Sequence, residues 1–131
     1  MRIGTLVPMG DGDSHPGSPD WDEIRRFAQH AETIGVDSLW VYDHMYSNVP
    51  GTEPRGLHEA WSVLTALAVA TEKGELGQLV RCPSFRPRAG LAAVAVPAAR
   101  ISGGSVTRGH GTGGHDRHGR AVGSRVHRPA R

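Results

Sequence analysis

An acid and an imidazole stand side by side where an apolar run ends. In "DSLWVYDHMY" the strand-forming residues Leu39, Trp40, Val41 and Tyr42 give way, without an intervening turn, to Asp43 and His44. Imidazole titrates near neutrality and can give or take a proton, and an adjacent carboxylate can orient it or balance its charge. On residue types alone, such a pair also reads as a turn-former followed by a surface histidine. A second cluster, "GHGTGG" (Gly109 to Gly114), matches G-x-G-x-x-G. A dinucleotide fingerprint also requires a helix opening there and an acid about twenty residues on. No acid follows Asp116, so that reading is set aside. The spacing of His110, His115, Asp116 and His118 matches no strong metal motif, and no metal site is expected.

The elements that must position these residues follow from pattern. "RIGTLVP" (Arg2 to Pro8) reads as a buried strand. Asp20 with Glu23 three positions on forms a capping-box start for a helix. Trp21, Ile24, Phe27, Ala31 and Ile34 give that helix one apolar stripe, and Gly35 sits where its end belongs. Trp21 and Phe27, like Trp61, are expected in the core. Ser38 to Tyr42 is the second strand. The stretch Met45 to Glu59 is a long loop, a length that suggests a working segment. "EAWSVLTALAVAT" (Glu59 to Thr71) is apolar nearly all round and reads as a buried helix, and Leu76 to Cys82 as a third strand. Strands alternating with helices by short returns predict an α/β fold with a parallel sheet. Beyond Phe85 the pattern weakens. "GLAAVAVPAAR" could form a helix but contains Gly90 and Pro97. "SVTRGHGTGG" could form a fourth strand, but with Arg108 and His110 at positions a buried strand gives to apolar residues. No element is assigned from Asp116 onward.

Charge divides the chain the same way. Twelve of the 13 acids precede Leu76, whereas ten of the 15 basic residues, all arginine, follow Glu75. Phe85 is the last aromatic residue, which makes the remainder poor material for a core. The arginines alone, without stacking aromatics, predict no specific nucleic-acid recognition. No apolar run is long enough to span a membrane, and the N-terminus is not a signal peptide, so a cytoplasmic location is expected. The single Cys82 agrees with a reducing compartment.

Taken together, the first strand, "AETIGVDSLWVYDH", "EAWSVLTALAVAT", "LGQLVRCPSFR" and "ISGG" resemble the bacterial luciferase-like monooxygenase family, in its flavin- and deazaflavin-dependent oxidoreductase branch. The match is dense over residues 1–86. Over 87–131 it stays in register but departs: Pro87-Arg88 replaces Asn-Pro, Gly90 a leucine, and Ser105 the arginine after Ser-Gly-Gly. The resemblance implies a (β/α)₈ barrel, normally of about 250 residues, of which this chain would supply the first three to four βα units, a truncated TIM barrel. Residues 1–86 would be the N-terminal part of that barrel, and 87–131 a degraded, basic continuation of it, for which a disordered tail is one reading.

In such a barrel the active site lies at the carboxyl ends of the strands. The resemblance therefore implies His44 as catalytic acid/base with Asp43 as its orienting partner. Cys82, Ser84, Gly111 and Gly113 would line the cofactor rim, and Glu59 is a weaker candidate for a pocket carboxylate. The implied cofactor is FMN or coenzyme F-420. The implied chemistry is hydride transfer or monooxygenation on a small organic substrate. Four strands do not close a barrel, so self-association or a partner chain would be needed to complete it. The alternative is a non-catalytic truncated remnant of such an enzyme.

Overall fold

The computed structural model describes residues 1–10, 12, 17–47, 53–81, 85–86 and 88–110. Strand β1 (Gly4–Leu6) leads to helix α1 (Trp21–Thr33) and strand β2 (Ser38–Val41). Two short strands, β3 (Tyr46–Ser47) and β4 (Arg55–Gly56), pair antiparallel within the long loop. Helix α2 (Ala60–Ala70), strand β5 (Glu75–Arg81), helix α3 (Arg88–Ile101) and strand β6 (Val106–His110) follow. The main sheet runs β1-β2-β5-β6, every pair parallel, so each strand lies beside its predecessor in the sheet. This is the alternation the sequence predicts, and α3 and β6 extend it beyond residue 86.

Helix α1 starts as its sequence dictates. Asp20 accepts from the Glu23 backbone N–H at 2.8 Å, and the Glu23 carboxylate accepts from the Asp20 N–H at 2.8 Å. Both bonds satisfy backbone donors that the first helical turn leaves open. Asp20→Ala is expected to cost about 1 kcal/mol, read from urea denaturation followed by circular dichroism. At the other end Gly35 adopts φ +87°, a left-handed conformation that closes the helix at little cost for glycine.

One core lies between the helices and one face of the sheet. Leu39, Val41 and Leu76 from the strands meet Ile24, Ala28 and Ala31 of α1, Trp61, Leu64 and Leu67 of α2, and Ala95 and Ala98 of α3. Successive strand residues point to opposite faces. Trp40 therefore lies on the other face, with Gly4 and Gly77 beneath it: a Cβ built on Gly4 would fall 2.6 Å from the Trp40 indole nitrogen. The indole N–H donates to Ser38 Oγ at 2.9 Å.

Two expectations are corrected here, and one open reading is resolved. Strand β1 is an outer strand rather than a buried one, with Ile3 and Leu6 more than half exposed, while Val7 and Met9 just beyond it are buried. Trp61 is in the core, but Trp21 and Phe27 are exposed, because α1 turns Ile24, Ala28 and Ala31 inward. Pro97 does not interrupt α3. The helix continues through it with Pro97 on the exposed side, while Ala95 and Ala98 hold the helix to the core.

At the amino ends of the strands, Glu32 of α1 binds the turn before β5. Its carboxylate accepts from the backbone N–H groups of Glu72, Lys73 and Gly74, the last two at 2.8 and 2.7 Å. Burial pushes its pKa up, but these donors outweigh that and hold it below the ordinary 4.5. A carboxylate depressed in the fold stabilises fully above its unfolded value, and that stability is lost as pH falls through the folded value. Glu32→Gln is thus expected to lose about 1 kcal/mol at pH 7, given the exposure of the group. The difference from the parent chain should vanish in urea titrations run well below pH 4.5.

Candidate active site

The chain leaving β2 keeps the alternation of a strand. Leu39 and Val41 are buried and Trp40 and Tyr42 half-buried; Asp43 is buried and His44 exposed. The two residues that looked like a pair in sequence thus have opposite surroundings. His44 stands at the carboxyl end of β2 beside Tyr42, with ring centroids 5.8 Å apart and planes inclined at 49°. Asp43 sits on the helix side, its side chain only 1% exposed.

There the Asp43 carboxylate meets Arg86. The guanidinium binds it as a fork, Nη1 to Oδ2 at 2.7 Å and Nη2 to Oδ1 at 2.9 Å. Two parallel charge-assisted bonds of this kind fix orientation as well as distance. Nη2 also makes a short contact with Glu59 Oε1. The second Glu59 oxygen caps α2, accepting from the Ser62 N–H at 2.7 Å and the Ser62 hydroxyl at 2.8 Å.

Burial works against the charge of Arg86, yet hydrogen bonding and attraction from Asp43, then Glu59, raise its pKa above the ordinary value. Burial likewise pushes Glu59 up. The Ser62 N–H and hydroxyl, the Trp61 N–H and the Arg86 charge together bring it below the ordinary carboxylate value.

The loop before α2 is anchored as well. His58 Nε2 lies 2.7 Å from the carbonyl oxygen of Pro19, which as an acceptor requires the ring proton on Nε2. Gly10 and Leu57 form a backbone bridge nearby.

Of the residues singled out in the sequence, His44 and Asp43 stand at the carboxyl end of β2 and Glu59 at the start of α2. Cys82, Ser84, Gly111 and Gly113 lie outside the described residues. Sequence reasoning missed Arg86. Its signal was present in the last residue of "CPSFR", a basic residue closing the segment that follows β5. A groove of about 680 Å³ also runs along α2 and α3, lined by Thr65, Val69, Val94 and Pro97 and also by Glu59 and Arg86 of this cluster. Among the described residues no cluster of three acidic, histidine or cysteine side chains could hold a metal, and no helix is long and apolar enough to cross a membrane.

A parallel sheet in sequential order, helices on one face and polar side chains at the carboxyl strand ends define the opening units of a (β/α)₈ barrel. The family model described as luciferase-like monooxygenase matches residues 1–131, and the chain belongs to that family. It is 32% identical over 94 residues to an F420-dependent glucose-6-phosphate dehydrogenase of Amycolatopsis mediterranei (strain U-32), an alignment covering 70% of this chain and 27% of the relative. Among solved structures it is similar to an F420-dependent secondary alcohol dehydrogenase in complex with an F420-acetone adduct, with TM-score 0.67 and 24% identity over 86% of this chain and 32% of that one. It is also similar to the FMN-bound oxygenating constituent of 3,6-diketocamphane monooxygenase from Pseudomonas putida, with TM-score 0.69 and 18% identity over 94% of this chain and 33% of that one. The chain thus spans about a third or less of the length of these relatives.

Proposed function

We infer that this chain contributes the His44 face of an oxidoreductase site that transfers hydride between a deazaflavin of the F420 type and a small organic substrate. The observation that carries this reading is the exposed imidazole of His44 at the carboxyl end of β2, held beside Tyr42 while its acidic neighbour is turned away. The F420-dependent relative at 32% identity favours deazaflavin over FMN, and FMN-dependent monooxygenation is the second reading. An exposed imidazole next to an aromatic ring suits the ring end of either cofactor, which when bound would supply the hydride-carrying ring atom, a carbon in the deazaflavin and a nitrogen in FMN. His44 would give or take the proton that accompanies hydride movement. Tyr42 would limit the rotation of the His44 ring. Cys82, Ser84, Gly111 and Gly113 are proposed to complete the cofactor rim.

A closed barrel requires more strands than this sheet contains, and Leu6 on its open face is 51% exposed. We propose that a second copy or a partner chain covers that face in the working protein. Titration of the purified chain with F420 and with FMN, followed by cofactor fluorescence and paired with light scattering for mass, tests both points. Saturable binding that weakens in His44→Ala is the expected result. No binding of either cofactor at high micromolar concentration overturns the enzymatic reading and leaves the non-catalytic one.

A further inference from the structure

Arg86 joins three segments that are far apart in sequence. It comes after β5, its fork holds Asp43 at the end of β2, and its third contact reaches Glu59, the residue that caps α2. The Arg86 side chain is only 16% exposed and that of Asp43 1%, so the pair is held in a poorly solvated place. Residue 44 inherits its direction from residue 43. With the Asp43 carboxylate pinned toward the helices by two bonds, the next side chain in an extended backbone leaves toward the opposite side, where His44 meets Tyr42.

We propose that Arg86 is a positioning residue for His44, acting through Asp43 and steadied by Glu59. This rests on the reading of His44 as the proton-handling group, but it assigns Asp43 and Arg86 a different part: they aim the imidazole from behind. The chemistry requires arginine. A lysine ammonium is a point charge that cannot engage both Asp43 oxygens in one plane while also reaching Glu59.

The test is made on the isotopically labelled full chain by NMR, without cofactor. It follows the His44 ring signals and the nuclear Overhauser contact between the Tyr42 and His44 rings. Arg86→Lys and Asp43→Asn are expected to abolish that contact and to move the His44 signals toward those of an unrestrained histidine. Glu32→Gln, which loosens the opposite end of the sheet, should leave both unchanged. In Arg86→Ala, added guanidinium should restore the contact in part, and if that variant does not fold, Arg86→Lys and Asp43→Asn decide. Folded Arg86→Lys with the Tyr42–His44 contact and His44 signals of the parent chain would overturn the proposal. So would equal loss in Glu32→Gln, which would mark the effect as general loosening. Failure of cofactor binding in the parent chain removes the enzymatic reading but leaves this geometric result standing.

Discussion

Arg86→Ala is expected to lower the free energy of unfolding by about 3–5 kcal/mol, because it leaves a carboxylate buried without its cation. Asp43 is 1% exposed and draws two of its hydrogen bonds from that single guanidinium. Glu59 adds little to this loss, since its side chain is 41% exposed and solvent can replace the arginine there. Urea denaturation at pH 7, followed by circular dichroism, gives the number directly. The cause is separable from lost packing by a double variant, Asp43→Leu with Arg86→Met. Removing both charges in favour of apolar side chains of similar size is often neutral or stabilising. The double variant should therefore regain most of what Arg86→Ala loses. A double variant as unstable as the single one would mean that the side-chain volume, rather than the charge pair, matters at this place.

The next largest effect is expected at Gly77. Its Cβ position is occupied by the indole of Trp40, with Cε3 at 2.6 Å, Cζ3 closer still and Cη2 at 3.0 Å. An added methyl group forces a rigid, flat ring to move, and overpacking of this kind costs about 1–3 kcal/mol. Alanine also restricts the unfolded chain, which offsets about 0.4–1 kcal/mol of that. Gly77→Ala should accordingly lower the urea midpoint. It should also shift the Trp40 indole N–H signal in NMR spectra, because the ring cannot move without disturbing its 2.9 Å bond to Ser38. An unchanged indole signal alongside an unchanged midpoint would show that the ring does not rest on Gly77. Gly4, whose Cβ position is 2.5 Å from Ser38 Oγ, should behave in the same direction.

Much of the fold was legible because local rules and global order agree. The Asp20 and Glu23 pair, Gly35 and the apolar run of α2 each announce an element by their own chemistry. Strand β6 formed despite Arg108 and His110, since parallel pairing with β5 is made by backbone groups and does not depend on side-chain type. What failed was the ranking of burial. On α1 the large residues Trp21 and Phe27 dominate any hydrophobic pattern, but the helix approaches its neighbours through Ala28 and Ala31, where small side chains permit close contact. For β1, apolar composition carries no information about whether a strand lies at the middle or the margin of a sheet. The site was half legible. Asp43 and His44 are adjacent in sequence, so the pair was visible, but the pleat that separates them belongs to the backbone. Arg86 lies 43 positions from Asp43, a distance no local spacing rule spans.

The order of strands has a consequence for the growing chain on the ribosome. Each strand adds beside the one made just before it, so the sheet can be assembled in the direction of synthesis, from the first residue toward the last. Arg86 emerges only after β1, β2 and β5 have been made. Until then the acid that ends β2 lacks the Arg86 fork, so the nascent sheet gains that tie only once the third strand of the main sheet has been made.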